Sequence, residues 1–264
     1  MGRIFSIMSG KGGVGKSTLS AALAEFYARS GKKVALLDAD VGQRCADLMF
    51  NMQDTIIYDL GDLVEKNCEL QDALMPHPEL PNLLLLAAPQ IMSVSDVKHK
   101  AMDRIITQLA EETDILLLDA PAGIGKGLKN LLGATAEPVV VVTPDDVSIR
   151  DAERLSSLLS QNEEPHPSVV FNRVRPMWVR RGLIPPPEQL ALSLDMPLMG
   201  VIPESEKIYK ALLRHETALK CGDGKVVKAI EVTAARLLGA DAPIPSYMPS
   251  AVLQFFARGG ETST

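Results

Sequence analysis

The sequence predicts an α/β protein: a mostly parallel sheet covered by helices on both faces, in three layers. Three observations predict it. Short, β-rich apolar runs alternate with longer stretches of helical period. The runs are apolar throughout, as in residues 115–118, Ile-Leu-Leu-Leu, so both faces of each strand must be buried. Polar clusters stand at the carboxyl ends of these runs, which is where open α/β sheets bind ligands. With 264 residues, 46% of them hydrophobic, the chain suits one large domain better than two small ones.

The elements follow in order. Residues 4–8 form the first strand, which ends in a glycine-rich loop. A helix covers 17–29 with Leu19, Leu23 and Phe26 near one face, and Gly31 stops it. Residues 33–37 form a strand ending at Asp38-Ala39-Asp40. A looser region then reaches a buried strand of four leucines at 83–86, and a helix at 96–112. The strand at 115–118 ends in Asp119, and the one at 138–142 ends in Thr143-Pro144-Asp145. A helix at 148–160 and strands at 168–171 and 197–202 come next, then helical patterns at 204–214 and 225–238. The domain spans 1–241. A proline-rich linker, 242–249, separates it from a tail, 250–264. There is no internal repeat.

Composition narrows the function. A net charge of −6 and a pI near 5.3 argue against wholesale coating of nucleic acid. Cys45, Cys68 and Cys221 are scattered singly, with no Cys-x-x-Cys pair, so they read as reduced thiols rather than a metal or iron–sulfur framework. Met1 leads straight into a strand without a basic n-region, so no secretory signal is expected. No apolar run approaches the ~18 residues of a membrane span. Contact with a membrane is therefore expected from its surface.

Residues 10–17 match G-x-x-x-x-G-K-[ST] between a strand and a helix, the context that identifies a phosphate-binding loop. Gly10, Gly12, Gly13 and Gly15, with Val14 between them, let backbone N–H groups turn toward phosphate oxygens. The helix N-terminus, entered through Thr18, adds its partial positive charge. Lys16 is placed to reach the β and γ phosphates, and the Ser17 hydroxyl to ligate Mg²⁺. Asp119 holds the strand-end position that supports the same ion. Asp38 and Asp40 end another strand. One of them would support Mg²⁺ and the other orient the attacking water, or the two cap a following turn. The expected ligands are ATP and Mg²⁺. The loop has a second lysine, Lys11, which a single bound nucleotide leaves unexplained.

With that second lysine, residues 11–18 (Lys-Gly-Gly-Val-Gly-Lys-Ser-Thr) resemble the deviant Walker A loop of the MinD/ParA family of P-loop ATPases. Further matching pieces cover nearly the whole domain. They are Asp38-Ala39-Asp40-Val41-Gly42 with Arg44 and Asp47, Tyr58-Asp59, Asp119-Ala120-Pro121-Ala122-Gly123-Ile124, Thr143-Pro144, Ser148-Ile149-Arg150-Asp151 and Gly200-Val201-Ile202-Pro203-Glu204. The pattern is most similar to the septum-positioning branch of the family. The resemblance implies a P-loop NTPase fold and a slow, partner-stimulated ATPase that dimerises on ATP. Its catalytic residues would be Lys11, Lys16 and Asp40. Lys11 would reach the phosphates bound by a second subunit, and Asp40 would position water. Asn172 and Arg173, with backbone near Pro203, would form the adenine pocket. Arg44 and Asp151 would lie on a partner-binding surface.

The implied partners are a second copy, a septation inhibitor of the MinC type and a regulator of the MinE kind. The implied location is the cytoplasm and the inner face of a bacterial membrane. Rival readings are a DNA-partitioning ATPase and a flagellar-number regulator of the same family. Cys45, where the family often has Asn, and Gly125-Lys126, where an acidic residue is common, depart from the pattern.

The tail resembles the family's C-terminal membrane-targeting amphipathic helix. Val252, Leu253, Phe255 and Phe256 place four large apolar residues in five positions, between a Ser250 cap and a Gly259 stop. Arg258 is its one base, so apolar insertion must supply most of the binding to an anionic surface, with two tails of a dimer adding avidity. The other reading packs this segment onto the domain or a partner subunit. The basic cluster Arg173, Arg175, Arg180 and Arg181, interleaved with Trp178, reads as the loop flanking the nucleotide base in preference to a nucleic-acid patch.

Overall fold

In the computed structural model, residues 1–40, 44–89, 99–129, 131 and 136–245 are described. Val41, Gly42, the first turn of the expected helix at 96–112, and the tail residues Val252, Leu253, Phe255 and Phe256 lie outside them. Eight strands form one sheet in the order β3-β4-β2-β5-β1-β6-β7-β8. β1 (Arg3–Met8), β2 (Val34–Asp38), β4 (Leu80–Leu86), β5 (Ile115–Asp119), β6 (Glu137–Val142), β7 (Ser168–Val174) and β8 (Leu198–Pro203) run parallel. Among the described residues only β3 (Met75–His77) pairs antiparallel, at the edge.

Continuous apolar strands serve two cores because successive side chains point to opposite faces. Leu116 and Leu118 join Ile4, Met8, Val140 and Val142 on one face, under α5 (His99–Glu112) and α7 (Asp146–Gln161), with the short α6 (Lys126–Lys129) between β5 and β6. Ile115 and Leu117 join Phe5, Ile7, Val139 and Val141 on the other, under α1 (Lys16–Arg29) and α11 (Gly224–Leu237). α1 is buried almost all round; Ala21, Ala22, Ala24 and Ala28 let it lie close to the sheet and favour the helix.

The looser region between β2 and β4 holds three short helices, α2 (Ala46–Met49), α3 (Leu60–Glu65) and α4 (Leu70–Ala73), and then β3. α3 is nucleated by a capping box between Asp59 and Asp62. The strand expected at 83–86 starts three residues earlier, at Leu80, because β3 pairs with it. After β7 come α8 (Pro176–Arg180) and α9 (Pro187–Ser193), each begun by a proline at its first turn, and the helix expected at 204–214 contracts to α10 (Glu206–Leu212) behind a Ser205 cap.

Register places the polar clusters side by side. Asp38 on β2 is paired with Asp119 on β5, and Asp119 with Ile7 on β1, one residue before the end of that strand. The chain leaves β1 toward β2 on one side, while neighbouring β6 leads to β7 on the other. The loops therefore diverge and open a crevice at the carboxyl ends.

Candidate functional site

The glycine loop fills that crevice. Gly13 and Gly15 take φ of 79° and 92°, a left-handed conformation that a side chain disfavours. Gly15 is also the N-cap of α1, and a Cβ there would stand 2.3 Å from the Asn172 amide nitrogen. Gly10 is pressed by α7: a Cβ would lie 2.5 Å from the Cβ of Asp151. Asp151, expected on a partner surface, keeps a side chain 20% exposed and pairs with Arg154 at 3.2 Å.

Lys16 is only 5% exposed. Its Nζ donates to Asp119 Oδ1 at 2.8 Å, with Ser17 Oγ at 3.3 Å and Asp40 Oδ2 at 3.4 Å. Burial alone would lower its pKa, but Asp119, Asp40 and Asp38 outweigh it and raise the value, so the ammonium stays charged. Asp119 Oδ1 also accepts from Ser20 Oγ at 3.0 Å, whereas its Oδ2 is buried without a partner. That open carboxylate oxygen and the Ser17 hydroxyl, which contacts the same Lys16 ammonium as Asp119, make a hard-oxygen donor set. It fits Mg²⁺, which takes one or two protein oxygens and fills its remaining positions with phosphate and water. Among the described residues no group of three or more His, Cys, Asp or Glu is arranged to hold a metal by itself.

Asp38 and Asp40 divide their tasks. Asp38 Oδ1 accepts from Asp40 N at 3.0 Å and Oδ2 from Ala46 N at 3.2 Å, so Asp38 ties the turn after β2. Full burial and the neighbouring Asp119 push its pKa up to about 7. Asp40 reaches solvent, with a side chain 19% exposed; its pKa is raised by burial against the pull of Lys16. The turn-capping geometry weighed from sequence thus belongs to Asp38, and Asp40 faces the lysine.

Lys11 stands apart from this cluster. Its Nζ lies 3.0 and 3.3 Å from the two carboxylate oxygens of Asp145, which also caps α7 by accepting from Ser148 N at 3.0 Å and takes the Thr143 hydroxyl at 2.5 Å. Burial opposes it, but the hydrogen bonds from Thr143, Ser148 and Lys11 hold the Asp145 carboxyl below its usual range. Arg44, expected on a partner surface, has a side chain only 13% exposed that is ion-paired at 2.7 Å with the buried Asp47. It presents little surface, its guanidinium being turned onto that carboxylate.

Beyond the loop lies a cavity of about 650 Å³, within the usual range for small-ligand sites. Gly15, Thr18, Asn172, Arg173, Glu204 and Tyr209 are among its walls. Pro203 is not; its neighbours Ile202 and Glu204 are. Asn172 donates from Nδ2 to Val14 O at 2.8 Å and accepts at Oδ1 from Arg173 N at 2.9 Å, which ties β7 to the glycine loop. Arg175 pairs with Glu204 and lies 4.3 Å over the Trp178 ring, so part of the basic cluster does flank this cavity. Sequence reasoning missed Ser20, Glu204 and Tyr209 as site residues, and Asp145 as the partner of Lys11. Only Asp145 had a signal, the Asp-x-x-Ser pattern of a helix cap.

Comparison with known proteins matches this geometry. The sequence profile of the ParA family, described as NUBPL iron-transfer P-loop NTPase, matches residues 1–175. The septum site-determining protein MinD of Synechocystis is 35% identical over 249 residues, 94% of each chain. The Aquifex aeolicus MinC:MinD cell division complex contains a chain that superposes with a TM-score of 0.86 at 31% identity, covering 94% of this chain and all of that one. MinD of Pyrococcus horikoshii, solved complexed with Mg-ADP, superposes with a TM-score of 0.80 at 26% identity, covering 92% of this chain and all of that one.

Proposed function

The chain belongs to the ParA family of P-loop NTPases and, within it, to the MinD proteins, ATPases that act in division-site placement, and from that premise we propose that it is a dimerising membrane switch driven by ATP and Mg²⁺. The observation that carries this reading is the unequal placement of the two loop lysines. Lys16 is enclosed by Asp119, Asp40 and Ser17 and serves the phosphates of its own subunit. Lys11 is one-third exposed at the rim, held among the described residues by the half-exposed Asp145, and can exchange that carboxylate for the phosphates of a second subunit.

Ser17 and Asp119 would hold Mg²⁺, with Asp38 supporting them from behind through the turn it ties. The bound ion neutralises charge on the β and γ phosphates. The backbone of residues 10–18, opened by its glycines, cradles the phosphate oxygens. Asp40 orients water for attack on the γ phosphorus. Hydrolysis to ADP and phosphate removes the group that Lys11 reaches across for, so the dimer loosens. Asn172, Arg173 and the backbone at Ile202 and Pro203 bound the base cavity.

Two copies joined by ATP present two tails, and Val252, Leu253, Phe255 and Phe256 attach them reversibly to the inner face of a bacterial membrane. A septation inhibitor of the MinC type is the expected cargo, since the Aquifex relative was solved with MinC, and a regulator of the MinE kind would speed hydrolysis. Among the described residues no helix is long and apolar enough to cross a membrane.

The test is cosedimentation with anionic liposomes and, separately, with duplex DNA, each with ATP or ADP. ATP-dependent liposome binding that is lost on deleting residues 250–264 is the expected result. ATP-dependent DNA binding that survives the deletion would instead identify a DNA-partitioning protein.

A further inference from the structure

The only tryptophan of the chain is on the surface. Met177 and Trp178 on α8 are each 43% exposed, and Leu183 in the following turn is 65% exposed. Arg175 covers one face of the Trp178 ring and is itself fixed by Glu204, so the indole is held outward rather than left to fold down. Arg180 and Arg181 are exposed beside it, one helical turn on from Met177 and Trp178. An indole and two apolar side chains bordered by arginines is the composition of a water–lipid boundary, where the ring sits at headgroup depth and guanidinium groups meet phosphates.

The path of the chain gives a second, independent observation. The Arg236 guanidinium bonds both Leu198 O, at the start of β8, and Ala242 O, at 2.9 and 2.8 Å. Ile244 packs on the same core cluster as Ile184 and Leu198. The segment that leads to the tail therefore passes the amino end of β8, at the same lateral edge of the sheet as α8 and α9 but about 17 Å along the strands from the carboxyl end of β7, where α8 begins. Six residues separate 245 from 252, seven steps of the chain with a reach of up to roughly 23 Å. Charge is the third observation. The tail has Arg258 as its one base, followed by Glu261, in a chain of net charge −6. Cations to meet an anionic leaflet are scarce in the tail and present on this face.

We propose that Met177, Trp178 and Leu183, with Arg180 and Arg181, form a second membrane-contact element that seats on anionic lipid headgroups beside the tail. The proposal rests on the membrane reading given above. Lipid is favoured over nucleic acid because, of the four arginines in this cluster, Arg175 is paired with Glu204 and Arg173 lines the cavity, which leaves two for a phosphate backbone, and the exposed Met177 and Leu183 add nothing to phosphate contacts.

The experiment uses the full chain with ATP and Mg²⁺, vesicles of phosphatidylglycerol mixed with phosphatidylcholine, and vesicles of phosphatidylcholine alone. Trp178 emission moves to the blue on the anionic vesicles and is quenched by brominated lipid. The double variant Arg180→Ala/Arg181→Ala weakens anionic vesicle binding about thirtyfold at low salt, about fivefold per cation, and keeps the parent's melting temperature because both side chains are exposed. Unshifted Trp178 emission on a chain that cosediments with vesicles, or parental affinity in the double variant, overturns this element and leaves attachment by the tail standing. No cosedimentation by the full chain overturns both. An emission shift with duplex DNA and none with vesicles overturns it in favour of nucleic acid.

Discussion

Lys11 and Lys16 lie five positions apart in one loop and answer to different charges. Lys16 is buried in a ring of three carboxylates, so removing it would leave Asp119 unpaired in the interior. Among the described residues Lys11 has one carboxylate partner, and both are substantially exposed, so the pair adds little to stability. Lys11→Ala should therefore keep the fold and bind ATP within about threefold of the parent, while partner-stimulated hydrolysis falls by about 10³ or more, the scale of a cation delivered in trans to phosphoryl transfer. Calorimetric ATP titration and steady-state turnover measure the two; full stimulated activity in this variant would contradict the in-trans role. Asp145 carries a pH signature of its own. Its carboxyl is held below the unfolded value, so the stability it adds is present above the ordinary aspartate pKa, about 4, and disappears as the pH falls through its depressed folded value. The melting temperature of Asp145→Asn should lie below that of the parent near neutral pH, with the gap closing once the pH is well under 4. A gap independent of pH would assign the loss to the cap geometry alone.

At the scale of elements, what could be read from the sequence was what local pattern encodes. The glycine loop, the strand-ending Asp38 and Asp119, and the apolar runs of β1, β2, β5 and β6 each carry their signal within a few residues. β3, α8 and α9 do not. Pro76, Pro176 and Pro187 sit in stretches of three to seven residues, too short for a period, and proline there reads as loop when it in fact marks an edge strand or a first helical turn. The site was divided in the same way. Lys11 meets Asp145 across 134 positions and Asn172 meets Val14 across 158, contacts that only the sheet order creates. The tie between Asn172 and the loop explains why its amide is engaged before any base arrives. Packing between elements is equally specific. Gly200 on β8 faces α11 so closely that a Cβ would stand 1.9 Å from Thr233 Oγ1, a fully buried hydroxyl bonded to Ala229 O at 2.7 Å. Gly200→Ala must push α11 off the sheet and should cost about 1–3 kcal/mol, the usual penalty of overpacking. Gly224→Ala, where a Cβ would meet nothing within 4 Å, should change stability by less than about 0.5 kcal/mol. Urea unfolding of the two variants makes the comparison, and equal losses would show that the β8–α11 contact can yield.

For the whole molecule, the placement of these groups divides one active site between two chains. Asp40, Asp119 and Lys16 converge within one subunit, held by the register of β1, β2 and β5. Lys11 lies outside that cluster and on the proposed reading serves the other subunit. The two defects should then complement. A Lys11→Ala subunit keeps its own Asp40 but gives its partner no lysine. An Asp40→Ala subunit cannot orient water but still presents Lys11. Each variant alone forms only defective sites. In a heterodimer the Lys11→Ala subunit receives Lys11 from its partner and uses its own Asp40, so one of the two sites is complete. With random pairing in an equal mixture, half of the dimers are of this kind and activity should return to about a quarter of the parent's per chain. The total hydrolysis rate should rise with the square of protein concentration where dimers are scarce, and turnover per chain in direct proportion to it, because the complete site exists only after association. A mixture no more active than its components, measured at concentrations where the parent is fully dimeric, would mean that Lys11 acts within its own chain. The cis pair with Asp145 would then be its working position and not one it leaves.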